Sequence, residues 1–368
     1  MAAGNRATPF VHSVLVVLVR IGSRRAHRSA RSRAGTRPRP GFDLPASGAL
    51  SPQTAAMMAT PTDLTDISIP AGFTFDSEDA YRDAVERFRR DVDSRYLRPL
   101  SEMIVEQCPT QRSTRTIAGV PVEEFVPRDA DPDRVLINLH GGAFCSGAVH
   151  VSRIESAPLA HRGGFRIVSV DYRQGHEHTY PAATEDVVAV YRDPLAHYAP
   201  GQIGIYGGSA GGMLTAQVTA WLVRHGLPVP GALGIFGAGT GGAGDGDYFS
   251  AIGNGKTPPD QIISRLADGD VGYFSTAEPG DPCVDPTLAP VEFRTQFPPT
   301  LLITGTRAID LSPALTTHRA LCRAGVDAAL HVFDGLGHCF YYTAATPEAQ
   351  DAYETMVRFF RKNLSGGE

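Results

Sequence analysis

The sequence has little cysteine and no paired arrangement of it. Its five cysteines, Cys108, Cys145, Cys283, Cys322 and Cys339, are an odd number, and none belongs to a C-x-x-C pair. That pattern excludes a dense disulfide framework and offers no zinc motif, so reduced thiols in a cytoplasmic protein are expected, with no metal. A stretch of about 20 apolar residues, the length a membrane-spanning helix needs, is also missing. The short apolar run Val14 to Val19 falls far below that length, and most of the nearby arginines follow it, which is the wrong order for a signal peptide. Strong charge of one sign is absent too. A net charge of -5 and a pI near 6.2 give no basic field to draw the chain to nucleic acid or an anionic membrane, which leaves small molecules as the expected partners.

What is present divides into an unusual beginning and an ordinary globular remainder. Of the 368 residues, 42% are hydrophobic, enough to bury one large core in a single enlarged α/β domain. Met1 to Pro40 instead carries nine arginines and no acidic residue. Two readings fit residues 1–56: an Arg-rich, acid-poor transit segment, or an over-extended start ahead of Met57 and Met58. Both predict disorder there, and a chain beginning at Met58 is expected to keep its fold and activity. Residues 57–110 follow as a helical segment and 111–368 as the core.

In Asp76 to Gln107 the apolar residues Ala80, Val85, Phe88, Val92, Tyr96, Leu97, Leu100 and Ile104 recur at near-helical spacing, which predicts one or two amphipathic helices. From Val135 the pattern changes to short apolar runs: Val135 to Leu139, Ile167 to Val170, Ile203 to Tyr206, Leu233 to Phe236, Leu301 to Thr304 and Leu330 to Phe333. Between or after them lie helical stretches, Ser152 to His161, Ala182 to Arg192, Ala210 to His225, Pro313 to Ala324 and Pro347 to Asn363. This alternation predicts a mostly parallel sheet covered on both faces. The glycine-rich Ala238 to Asp247 and the residues on to Ser275 fit no strand and read as an insertion beside the mouth of a site.

Three motifs carry chemistry. Ile203 to Gly212 is a strand running through Gly207-Gly208-Ser209-Ala210-Gly211 into a helix, the context in which a G-x-S-x-G serine is held on a sharp turn with its hydroxyl above the sheet edge. In a chain with 39 glycines the pattern alone could also be an ordinary turn. His140-Gly141-Gly142-Ala143-Phe144 directly follows a strand, and small residues there expose backbone N–H groups. With the N–H of Ala210 they can stabilise an oxyanion, each well-placed donor contributing roughly 3 kcal/mol. Asp334-Gly335-Leu336-Gly337-His338 lies in a loop late in the chain, after the last expected strand. That follows the order nucleophile, acid, histidine and makes His338 the expected general base, although a lone histidine is more often structural.

With these motifs in hand, the stretch from about Thr116 to Asn363 resembles the hormone-sensitive-lipase-like esterases, the bacterial family IV group of α/β hydrolases. Val168-Ser169-Val170-Asp171-Tyr172-Arg173 with Tyr180-Pro181-Ala182-Ala183, and Pro299 to Gly305, also resemble that family's connecting and acid-delivering segments. The resemblance implies an N-terminal helical cap over the site, short-chain acyl esters as substrates and no cofactor. Three positions depart from the family pattern. Gly208 stands where the family usually has Asp, Ala143 replaces the third oxyanion-loop glycine but keeps its N–H, and Ala308 falls at the usual acid position. The nearest carboxylate, Asp310, is the expected acid, against the alternative that it is a solvated residue or a cap for the helix near Pro313.

The expected function is therefore carboxylic-ester hydrolysis through an acyl-enzyme on Ser209, with His338 and Asp310 completing a triad and Gly142, Ala143 and Ala210 forming the oxyanion hole. A lactone hydrolase on the same machinery and a non-catalytic small-molecule binder on the same fold are the alternatives. Asp171, Arg173, Glu177 and Asp186 read as structural ion pairs. Cys145 and Cys339 lie beside the motifs within reach of thiol reagents, and Phe144 and Phe340 line a pocket or belong to the core. A homodimer is compatible with the sequence.

Overall fold

The computed structural model describes residues 47–58, 75, 77–240, 271–278 and 280–366. Residues 1–46 of the expected leader and 241–270 of the expected insertion lie outside the described residues. Among those described, eight strands form one sheet: β1 (Gln111–Ile117), β2 (Val120–Val126), β3 (Val135–Leu139), β4 (Arg166–Val170), β5 (Ile203–Gly208), β6 (Ala232–Phe236), β7 (Thr300–Gly305) and β8 (Ala328–Phe333). Their spatial order is β1-β2-β4-β3-β5-β6-β7-β8. From β4 to β8 every pairing is parallel, whereas β1 with β2 and β2 with β4 are antiparallel. The sequence reading missed this edge hairpin. Six of the seven β1 residues are exposed, so the strand shows no apolar alternation, and Pro121 weakens the strand signal of β2.

Period two along each central strand divides the apolar residues between two cores. Leu136, Ile167, Tyr206, Phe236, Leu301 and Ile303 face one side. Their neighbours Val135, Ile137, Val168, Ile205, Ile235 and Leu302 face the other. Because both faces are buried, these strands read as continuous apolar runs instead of alternating ones.

The covering helices are α1 (Pro52–Met58), α2 (Glu78–Val92), α3 (Arg98–Gln107), α4 (His150–Gly163), α5 (Ala182–Tyr191), α6 (Ala210–Arg224), the short α7 (Val291–Arg294), α8 (Leu311–Arg323) and α9 (Pro347–Asn363). Residues of α2, α3, α4 and α9 join the first core, and those of α5, α6 and α8 the second. Ser77 caps α2 by accepting from the Ala80 N–H at 3.3 Å, and Arg89 and Arg90 complement the dipole of its last turn. Its buried stripe starts at Tyr81, one residue after the expected Ala80, which is exposed. A π-helical turn, Asp93–Leu97, carries the chain from α2 into α3. α3 and the π-helical turn pack against α4, and α3 buries Leu100 and Ile104.

One expectation for the N-terminal region fails. Residues 47–56 are not structureless: α1 begins at Pro52 and Thr54 is buried. Glu348, at the start of α9, accepts from the Ser51 N–H at 2.6 Å and the Ser51 hydroxyl at 3.0 Å, and also from the Thr54 hydroxyl. These are polar contacts, invisible to a search for apolar periodicity. A chain beginning at Met58 would strip Glu348 of all three donors. Compared with a chain beginning at Ser47, it is expected to be less stable by about 1–3 kcal/mol and to melt a few degrees lower. Equal melting temperatures would show that these contacts contribute nothing.

Candidate active site

All three sequence motifs lie at the carboxyl ends of parallel strands, where open α/β sheets bind their ligands. Ser209 follows β5 and is the N-cap of α6, with φ 53° and ψ −121°. A non-glycine residue in that conformation is strained, and the surrounding packing holds it there. A Cβ on Gly207 would come 2.2 Å from the Leu139 carbonyl oxygen, and one on Gly211 would come 1.7 Å from the same atom. Both flanking glycines are therefore demanded by the close approach of β3 to the turn. The Ser209 N–H donates to the Phe236 carbonyl at 2.8 Å, which ties the turn to β6.

The oxyanion-loop candidate leaves β3 through His140. Gly142, Ala143 and Phe144 all have positive φ, at 132°, 55° and 54°. The loop is closed by the Gly142 carbonyl, which accepts from the N–H groups of Cys145 and Ser146 at 3.0 Å each. Among the described residues, the N–H groups of Gly142, Ala143 and Ala210 find no acceptor, so they are available to a ligand. His140 is fully buried and stacks on Tyr172 with ring centroids 4.3 Å apart. Burial pushes its pKa down to about 4, against the pull of its hydrogen bond to the Gly141 carbonyl, so the ring is neutral and structural. From α2, Arg89 Nε donates to the Cys145 carbonyl at 2.6 Å, while its guanidinium grips Glu177.

His338 is brought to the serine by the loop after β8. Its Nε2 lies 2.9 Å from Ser209 Oγ and its Nδ1 lies 2.6 Å from Asp310 Oδ1. In the tautomer that accepts at Nε2, Nδ1–H donates to the carboxylate. Asp310 and His338 are 1% and 4% exposed, so their interaction is shielded from water. Thr304 Oγ donates to the other carboxylate oxygen at 2.5 Å. Asp310 occupies the N-cap position of α8, but its side chain caps nothing, and so the capping alternative fails. Ala308, the usual acid position, is buried in the tight turn closed by the Ala308 N–H on the Gly305 carbonyl at 3.1 Å.

The remaining candidates separate cleanly. Arg173 pairs with Asp186 and Glu185, and Glu177 with Arg89, but the Asp171 carboxylate joins no ion pair among the described residues. Cys145 and Cys339 are both buried, which withdraws the expectation that thiol reagents reach them; burial also pushes the Cys145 thiol up to about 12. Phe340 packs in the core against Phe333 and Tyr341. Phe144 stacks on Tyr273 at 4.8 Å and meets Phe274 edge-on at 4.9 Å, which joins the oxyanion loop to the segment before β7. Among the described residues no group of three His, Cys, Asp or Glu side chains is arranged to hold a metal, and no helix is long and apolar enough to cross a membrane.

A family model described as alpha/beta hydrolase fold matches residues 136–342, more than half of the chain. The chain belongs to the α/β hydrolase family. Its curated relatives include an acetyl-hydrolase of Streptomyces hygroscopicus, 27% identical over 66% of this chain and 81% of that protein. An esterase of Acinetobacter venetianus is 26% identical over 72% of this chain and 87% of that one. Among solved structures, esterase E25 is 27% identical with a TM-score of 0.74, covering 91% of this chain and 99% of its own. An esterase of the bacterial hormone-sensitive lipase family is 28% identical with a TM-score of 0.64, covering 78% and 99%. The resemblance read from the motifs thus reappears in whole-chain comparison.

Because the methyl of Gly211→Ala would sit almost on the Leu139 carbonyl oxygen, that substitution is expected to cost more than about 4 kcal/mol. Gly212→Ala, whose Cβ would come no closer than 2.9 Å to another atom, serves as the comparison. Chemical denaturation checks this. Similar stabilities for the two variants would contradict the close approach of β3 to the elbow.

Proposed function

We propose that this hydrolase cleaves carboxylic esters by acyl transfer through Ser209. The observation that carries the reading is the continuous hydrogen-bonded path from the half-buried Ser209 Oγ through His338 to Asp310, at 2.9 and 2.6 Å, with His338 and Asp310 both buried. His338 takes the serine proton as Oγ attacks the ester carbonyl and gives it to the departing alkoxide, leaving an acyl-enzyme and a free alcohol. Water, deprotonated by the same imidazole, then attacks the acyl carbon, and Ser209 leaves with the proton returned. The carboxylate of Asp310 orients the ring and stabilises the imidazolium. The N–H groups of Gly142, Ala143 and Ala210 meet the negative oxygen of each tetrahedral intermediate.

Esters of short acids such as acetate are the proposed substrates, a choice supported by relatives described as esterases and an acetyl-hydrolase. Lactones would open by the same two steps. α2 and α3 belong to the proposed cap, supported by the Arg89 contact with the oxyanion loop. A cytoplasmic location is part of the same proposal, supported by five free cysteines.

Hydrolysis of p-nitrophenyl acetate is the direct test. Asp310→Asn keeps the size of the side chain and removes its charge, and is expected to lower kcat by about 10⁴-fold with folding intact. A nearly silent change would mean that another carboxylate serves His338. Gly142→Pro removes one donor and should cut kcat by at least about 100-fold. Equal hydrolysis by Ser209→Ala and wild type would defeat Ser209 as the nucleophile, and rates of both at the uncatalysed background would favour a binding protein on this fold.

The pH profile gives an independent check. Burial by itself would lower the pKa of His338, but the adjacent Cys339 sulfur and the hydrogen bond and charge of Asp310 outweigh it and raise the value above 6.5. The base must be neutral to act, so kcat/KM falls as pH drops through this raised value. The acid limb of the profile is therefore expected above pH 6.5, and a limb below that value would contradict the proposed pairing.

A further inference from the structure

One buried charge outside the three motifs touches both catalytic loops. Glu155, in the middle of α4, is 3% exposed. Its Oε1 accepts from the Gly141 N–H at 3.2 Å and from the Tyr342 hydroxyl. Its Oε2 accepts from Asn138 Nδ2 at 2.8 Å and from the Gly208 N–H at 3.4 Å. Gly141 opens the oxyanion loop and Gly208 immediately precedes the nucleophile, so one carboxylate spans the two segments whose relative placement the proposed chemistry needs.

The energetics make this an odd residue to keep for packing alone. Glu155 joins no ion pair with Arg, Lys or His among the described residues, and burial raises its pKa to about 7 although its four donors all pull the other way. Its neighbours on α4, Ile154, Ala157, Leu159 and Ala160, are buried and apolar. An apolar side chain at 155 would avoid desolvating a carboxylate. What an apolar side chain cannot do is accept hydrogen bonds from two backbone N–H groups at once.

The space around Gly208 supports the same conclusion. A Cβ there would lie 2.5 Å from Glu155 Oε1, 2.6 Å from the Tyr341 hydroxyl and 3.1 Å from the Tyr342 hydroxyl. A Cβ on Gly141 would lie 2.9 Å from the Gly208 carbonyl and 3.3 Å from Ser209 Cβ, so the two loops are in direct contact. The Glu155 carboxylate thus fills, together with the hydroxyl ends of Tyr341 and Tyr342, the volume that a side chain at 208 would need, so the glycine at 208 and the glutamate at 155 belong to one arrangement.

We propose that Glu155 is a positioning residue for ester hydrolysis: its carboxylate clamps the oxyanion loop to the nucleophile turn and so fixes the donors of Gly142 and Ala143 relative to Ser209. The proposal rests on the esterase reading above. Displacements of about 1 Å in such a constellation can cost about 100-fold in rate.

The test compares p-nitrophenyl acetate kinetics and melting for wild type, Ser209→Ala, Glu155→Gln, Glu155→Ala, Gly208→Asp and the double variant Glu155→Ala/Gly208→Asp. Glu155→Gln is expected to lower kcat by about 10- to 100-fold with KM within about threefold, because the donors are misplaced in the transition state while ground-state binding survives. Gly208→Asp alone should also lose activity, since it forces a second carboxylate against the first. Moving the carboxylate to 208 in the double variant should recover at least about tenfold over Glu155→Ala, a rescue that simple loss of packing would not give. Wild-type kcat in Glu155→Gln or in Gly208→Asp overturns the proposal, as does a folded double variant no better than Glu155→Ala. Should Glu155→Ala fail to fold, the double variant decides: folded and active supports the clamp, folded and inactive overturns it. A Ser209→Ala protein as active as wild type overturns the esterase reading and this proposal together, whereas the other failures leave that reading standing.

Discussion

The imidazole of His338 is buried and held from both sides, with the Ser209 hydroxyl at one nitrogen and the Asp310 carboxylate at the other. Three separate segments must arrive together for this to happen. The turn after β5 supplies the serine, the turn after β7 the acid and the loop after β8 the histidine. Parallel pairing of β5, β6, β7 and β8 puts the carboxyl ends of these strands on one edge of the sheet, and the register of the pairs sets the spacing. Small residues at the crossings let the loops close. Gly237, after β6, is one of them: a Cβ there would lie 2.7 Å from Cys339 Sγ and 3.5 Å from His338 Cε1.

This arrangement concentrates polar groups where the two hydrophobic cores meet the end of the sheet. Several buried polar groups here answer one another: Asn138 donates to Glu155 and accepts from Ser169 at 2.7 Å, Tyr172 donates to the His140 carbonyl at 2.6 Å, and Thr304 donates to Asp310, while His140 Nε2 has no partner among the described residues. Satisfied networks of this kind hold a single geometry because every alternative leaves a donor or carboxylate unpaired in low dielectric. Such rigidity suits a site whose proposed work is electrostatic, since donors fixed in advance need no reorganisation when charge develops on the substrate.

Much of this was legible in the sequence wherever the signal was local. Strand, turn and helix follow one another around Ser209 within ten residues, and the His140 and His338 motifs stand at strand ends, so chain order alone assigned them to one site. The six parallel strands were legible because burial on both faces makes them apolar runs. The edge hairpin was not, since an exposed strand such as Gln111–Ile117 carries no apolar pattern. Nor did α1 announce itself, because it is fastened by Ser51 and Thr54 to a glutamate almost 300 residues away. Asp310 could be named by its distance from the expected strand, but its freedom from capping duty depends on backbone geometry that spacing does not encode. Glu155 left a faint trace: a charge within Ile154 to Ala160 and an amide within Val135 to Leu139 are the two polar interruptions that turn out to be partners.

The central claim is that the Ser209 hydroxyl is the group that becomes acylated. It is tested most directly by incubating the protein with a p-nitrophenyl alkylphosphonate, which mimics the tetrahedral intermediate, and mapping the adduct by peptide mass spectrometry. One phosphonyl group per chain is expected, on the peptide bearing Ser209, with none on the same peptide in His338→Ala over the same interval. An adduct on another residue, or equal labelling of Ser209 in the absence of His338, would contradict it.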